Sequence, residues 1–104
     1  MPVISGVVNH KKMQAALARA ERKLGPDVER IRYSIDEDWT GDRSVFFNVV
    51  LSDEASIESR LRESAQRTER VVLKEVDPSQ YGLRDYFAYR SASEQAGLKE
   101  KSWA

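Results

Sequence analysis

Residues 29–52, ERIRYSIDEDWTGDRSVFFNVVLS, constrain this chain more than any other stretch. Ile31, Tyr33 and Ile35 alternate with Arg30, Arg32 and Ser34, the period of two that marks a strand with one buried and one wet face. In the second arm Val45, Phe47, Val49 and Leu51 share one face, while Phe46, Asn48, Val50 and Ser52 share the other. Only Asn48 and Ser52 interrupt an arm that is otherwise apolar on both faces. β-Branched and aromatic residues dominate both arms, as strands prefer. A hairpin whose second arm is apolar on both sides needs cover on both sides. The connection Asp36-Glu37-Asp38-Trp39-Thr40-Gly41-Asp42-Arg43 is longer than a two-residue turn, and Gly41-Asp42 is placed to supply the positive φ that closes it.

Two amphipathic patterns flank the hairpin. Met13, Ala16, Leu17, Ala20 and Leu24 fall on one helical stripe, with Asn9 as N-cap and Gly25-Pro26 as stop. Its outer face carries Lys11, Lys12, Arg19, Arg22 and Lys23, read as a solvated face whose later cations suit the helix dipole. After the hairpin, Ser52-Asp53-Glu54 reads as a cap with acids in the first turn. Ile57, Leu61, Ala65, Val72 and Val76, with Thr68 between, predict a second helix with an apolar stripe, ended at Asp77-Pro78. Glu58/Arg62 and Glu63/Arg67 are i, i+4 pairs worth roughly 0.2–0.5 kcal/mol each, so they mark a wet side more than they stabilise it. Pro2 to Val8 is apolar and β-branched and suits an edge strand. Tyr81, Leu83, Tyr86, Phe87 and Tyr89 form an aromatic segment, Ser91-x-x-Glu94 has the form of a capping box, and Trp103 closes the sequence.

The chain has 104 residues, the size of one domain spanning 1–104. Lysine plus arginine equal aspartate plus glutamate at 17 each, so a dedicated phosphate-backbone binder is not expected and nucleic acid is disfavoured as a partner. The absence of cysteine removes disulfides, thiolate zinc sites and a thiol nucleophile, and fits a cytoplasmic protein. No apolar run reaches the ~18 residues of a membrane span, and MPVISGVVNHKK does not have the pattern of a signal peptide.

Three places carry residue types with a chemical precedent. Asp36-x-Asp38-x-Thr40-Gly41 has the opening of an EF-hand loop, but the position of its bidentate glutamate is Phe47, inside a strand pattern. The loop is therefore read as a solubilising connection whose acids pair with Arg32 and Arg43, with Trp39 folded over the hairpin or against a partner. In Tyr86-Phe87-Ala88-Tyr89-Arg90-Ser91 the interleaving of rings with arginine suits base stacking or a protein hot spot. The preferred reading is that Tyr86 or Phe87 closes the core with Leu83, leaving Tyr89 and Arg90 at the surface. His10, the single histidine, has no nucleophile or further ligand implied beside it. No glycine-rich phosphate loop or G-x-S-x-G occurs, and neither a metal nor a cofactor is expected.

Arg32-Tyr33, Asp38-Trp39-Thr40-Gly41-Asp42, Phe46-Phe47-Asn48-Val49-Val50-Leu51-Ser52-Asp53, Tyr86-Phe87-Ala88-Tyr89-Arg90-Ser91 and Trp103-Ala104 together resemble a family of small bacterial proteins encoded beside nucleotidyltransferase-like or toxin–antitoxin-type genes. The resemblance covers the chain from about Val28 onward. It implies a protein-binding role and carries no catalytic residue. A looser likeness, in the order of elements alone, is to the KH-like fold of ribosome-binding factor A, although no G-x-x-G loop is present.

These readings give an α+β domain: an antiparallel hairpin, with a third strand at Pro2 to Val8, and two main helices in the order α-β-β-α on one face. An aromatic C-terminal segment covers part of the other face. The expected function is a non-catalytic adaptor with a protein partner or a second copy of itself. RNA binding through the basic first helix and Tyr89/Arg90 is the alternative. The surface expected to carry the partner comprises Asp38, Trp39, Asp42, Phe46, Val50, Tyr86, Tyr89, Arg90 and Trp103.

Overall fold

The central strand decides the architecture. In the computed structural model, which describes residues 8–104, the sheet order is β1-β2-β3. The elements run α1 (His10–Leu24), β1 (Val28–Glu37), β2 (Arg43–Leu51), α2 (Glu58–Glu75), β3 (Arg84–Ser91) and α3 (Ala92–Leu98). The fold is α+β with a three-stranded mixed sheet: β1 pairs antiparallel with β2, and β3 pairs parallel with it. A parallel neighbour needs a crossover rather than a hairpin, and α2 supplies it. The third strand is thus the aromatic segment itself. Residues 2–7 of the expected edge strand lie outside the described residues, and Val8 is buried without strand geometry.

Local chemistry explains the element ends. Asn9 accepts from the Lys12 backbone N–H at 3.1 Å, and Gly25 stops α1 at φ 66°. The hairpin closes through Gly41 at φ 88°. A bulge at Glu29 lets Val28 and Ile31 both face inward. On the outer edge of β1, the Ile31 N–H donates to Glu21 Oε2 at 2.7 Å, so α1 satisfies one amide of that edge. Ser91 and Glu94 form the expected capping box.

Val45, Phe47, Val49 and Leu51 form one face of β2 and are sealed under the α1 stripe Met13, Ala16, Leu17, Ala20 and Leu24. Phe87, from the same face of β3, packs on Phe47 with ring centroids 4.9 Å apart. The second helix keeps the expected stripe at Thr68, Val72 and Val76 but departs from it at its start. It begins at Glu58, after a turn in which Ser52 Oγ accepts the Ala55 N–H, and its buried residues are Ser64, Thr68 and Val72. Ile57 and Leu61 are exposed instead. The hydroxyls are tolerated because Ser64 Oγ donates to the Ala55 carbonyl and Thr68 Oγ1 to the Ser64 carbonyl, both at 2.8 Å.

The opposite face of β2 carries Ser44, Phe46, Asn48 and Val50. Register places Val50 between Arg30 of β1 and Arg90 of β3. The Arg90 guanidinium lies 4.3 Å from the Trp103 ring centre, and Arg30 Nε donates to the Trp103 carbonyl at 2.8 Å. The indole therefore sits above this row. Val50 is fully buried and Trp103 is 7% exposed, although neither belongs to the main core. The C-terminal segment covers half of the second face, as the two-sided apolar pattern of β2 requires.

Phe47→Ala should cost about 3–5 kcal/mol, the usual range for emptying a sealed aromatic site. Phe46→Ala, on the half-covered face, should cost clearly less. Urea denaturation compares them, and equal costs would contradict the assignment of faces.

Candidate functional site

The other half of the second face is built around Asp38. Its Oδ1 accepts from Thr40 N at 2.8 Å, Thr40 Oγ1 at 2.6 Å and Asp42 N at 3.0 Å. Its Oδ2 accepts from the Tyr86 hydroxyl at 2.6 Å. Asp38 is 8% exposed, and these donors hold its carboxyl well below the usual carboxylate range, the Thr40 hydroxyl first and Tyr86 second. The Tyr86 hydroxyl is pushed up, because its proton is held by that carboxylate. Asp38 thus ties the hairpin loop to β3, two segments that are far apart in sequence.

With the loop fixed, Trp39 is held in water. It is 79% exposed, yet its ring centroid lies 5.1 Å from that of Tyr86, at an interplanar angle of 53°. Tyr86 in turn stacks on Phe46 at 5.2 Å and 18°. Trp39, Tyr86 and Phe46 form a stepped aromatic shelf, with exposed Ser34 level with Phe46 and Tyr86 and exposed Ala88 one step along, opposite Asn48. Arg84 borders it and pairs with Asp42 at 3.0 Å. The geometry suits an apolar or aromatic group laid on the shelf.

The structure brings together five of the residues singled out from the sequence: Asp38, Trp39, Asp42, Phe46 and Tyr86. Val50, Arg90 and Trp103 form the covered half beside them. Tyr89 does not join either group. By strand alternation it points to the helical face, where its hydroxyl donates to the Ala65 carbonyl and to Glu69 Oε2 at 3.1 and 2.8 Å. Burial and the Glu69 carboxylate push that hydroxyl up. The expectation that Tyr89 and Arg90 lie free at the surface is therefore corrected: Tyr89 is bound to α2, and Arg90 is half-buried between Trp103 and Glu100. Arg32, expected to pair with the loop acids, instead donates to the Ala104 carbonyl at 2.6 Å and lies 3.9 Å from Glu21.

The sequence reading missed Arg84 as the partner of Asp42. Once β3 is placed parallel to β2, Arg84 stands opposite Ser44 beside the loop. Elsewhere, a cleft of about 370 Å³ between α1 and the chain after α2 is lined by Lys12, Met13, Arg19, Glu75 and Tyr81. Two of its charges are paired, since Glu75 accepts from Arg19 at 2.9 Å and also from Lys23 outside the cleft. Among the described residues no group of three or more histidine and acidic side chains is placed to hold a metal ion. None of the described helices is long and apolar enough to cross a membrane. Comparison of the chain with family models, with curated proteins and with solved structures finds no match.

Asp38, Asp53 and Glu75 all have carboxyls held below their ordinary range, by the Thr40 and Tyr86 hydroxyls, by Ser93 and by Lys23 with Arg19 respectively. A depressed folded-state value contributes stability that is present above the unfolded carboxylate range and lost as pH falls through it. Stability should therefore fall on acidification below about pH 5. Asp38→Asn should flatten that fall. Urea midpoints measured across this range check it, and an unchanged slope in Asp38→Asn would contradict the role given to this carboxylate.

Proposed function

We propose that the protein is a non-catalytic binding component that docks a partner protein on the Trp39–Tyr86–Phe46 shelf. The observation that carries this reading is Trp39: a large ring exposed to solvent, on a loop held by the five hydrogen bonds that the Asp38 carboxylate accepts and backed by two further rings. Tryptophan and tyrosine are the residues most enriched at interface hot spots. A loop already ordered loses little entropy on binding, so the rigid shelf favours affinity. The perturbed groups support a non-catalytic role. The Asp38 carboxylate and the Tyr89 hydroxyl are each occupied in holding one element to another. The likeness to proteins encoded beside toxin–antitoxin-type genes points the same way, to a protein partner in a small operon. A second copy of the chain is one candidate occupant of the shelf.

RNA is the second reading. The exposed Trp39 ring against Tyr86, beside Arg84, suits base stacking. Against it, α2 passes into β3 through a turn over Pro78–Tyr81 and Gly82, with no G-x-x-G loop.

Trp39→Ala should leave stability within about 0.5 kcal/mol, as for other surface substitutions. It should abolish crosslinking to the partner in cells that make the protein. Light scattering on the purified chain and on Phe46→Glu reads the second-copy case, where the intact protein is dimeric and the variant a folded monomer. A partner retained by Trp39→Ala would refute the shelf. Sub-micromolar RNA binding that persists at ~150 mM salt, where phosphate contacts are weakened, would replace this reading with the RNA one.

A further inference from the structure

The covered half of the second face recognises a peptide, and the peptide is the chain's own. Asn48 Nδ2 donates to the Ser102 carbonyl at 3.0 Å, Arg30 Nε to that of Trp103 at 2.8 Å and Arg32 Nε to that of Ala104 at 2.6 Å. Three successive carbonyls are thus read by three side chains of the sheet. Only two side chains of the segment are read. The Trp103 indole lies under the Arg90 guanidinium, and the Glu100 carboxylate takes the same guanidinium at 2.6 Å. What the face selects is a short segment with an acid three residues ahead of a tryptophan.

The segment hangs from a single hinge. Lys99 ends α3 at φ 53°, the only non-glycine residue with positive φ among those described. Such a conformation is disfavoured for a side chain with a Cβ and persists only while its surroundings impose it. Release of the segment relaxes the hinge and leaves the fully buried Val50 without its cover. Exchange of an identical element between copies is a low-cost route to dimers.

We propose that Arg30, Arg32, Asn48, Val50 and Arg90 form a peptide-docking groove that residues 100–104 occupy in place, and that accepts the same segment from a second copy. This groove is independent of the Trp39 shelf and stands or falls separately from it. In place, the segment is favoured by an effective concentration of the order of millimolar, so exchange shows most clearly when each copy lacks one half of the contact.

The test pairs two full-length variants. Trp103→Ala has an intact groove and a segment without its anchor. Arg90→Glu has an intact segment and a groove that repels Glu100. Each alone should sediment as the intact protein does, and an equimolar mixture should show an added species of twice that mass by sedimentation velocity. A labelled synthetic peptide of residues 98–104 should bind Trp103→Ala. It should bind at least ~10-fold more weakly when its own tryptophan is alanine, a difference of about 1.4 kcal/mol. Should either variant fail to give a dispersed amide spectrum, Trp103→Phe and Arg90→Gln replace them with the same readouts. A mixture of folded variants that shows no added species, together with no saturable peptide binding, overturns the proposal. So does equal binding of the two peptides.

Discussion

A β-strand flanked on both edges and apolar on both faces is the constraint from which the rest follows. β2 has β1 on one side and β3 on the other, so its backbone is fully engaged in the sheet. Burying a Val or Phe side chain is worth roughly 1.5–3 kcal/mol, and β2 offers such residues on both sides. Two helices seal one face. Among the described residues no third long helix covers the other, which is met by smaller means. Trp103 lies against Arg90, the register neighbour of Val50, and Tyr86 stacks on Phe46 with Trp39 against Tyr86. The candidate sites are consequences of this economy, since both lie on the face that the helices do not reach.

The two halves of that face differ in how they are held. On the shelf, a carboxylate organises everything: Asp38 spends its lone pairs on the loop and on Tyr86, which positions rings whose outer surfaces remain in water. Under Trp103, arginines and an asparagine grip backbone carbonyls, and one guanidinium covers an indole. A cation over an aromatic ring is worth about 0.5–2 kcal/mol, rising as water is excluded. One half is therefore preorganised and open, the other occupied and hinged.

Much of this was legible in the sequence where the signal is local. The alternation in 30–35 and 45–51, the Asn9 cap, the Gly25 stop and the Ser91/Glu94 box each depend on near neighbours, and each has its expected geometry. The third strand was not legible, because a parallel pairing across a helical crossover leaves no short-range mark. Without β3, the rings of residues 86–89 could not be assigned to faces, so Tyr89 was grouped with Tyr86 although adjacent parity separates them. The Asp38 pattern departs from a cation loop already at Phe47, but that its carboxylate ties the loop to Tyr86 depends on a residue distant in sequence. The stripe of α2 was legible at Thr68, Val72 and Val76 but not in its first turns, for a different reason. Ser64 and Thr68 are buried because nearby carbonyls accept their hydroxyls, whereas Ile57 and Leu61 gain no such place.

The sequence contains two tryptophans, and they report on the two halves separately. The most direct measurement is emission and acrylamide quenching of the single-tryptophan proteins Trp39→Phe and Trp103→Phe. With Trp103 alone, emission should be blue-shifted and protected from the quencher until the protein unfolds. With Trp39 alone, emission should be red-shifted and quenched nearly as freely as in the unfolded chain. A Trp103 that is quenched freely in the folded protein, or a Trp39 that is shielded, would contradict a second face half covered by the chain and half left open.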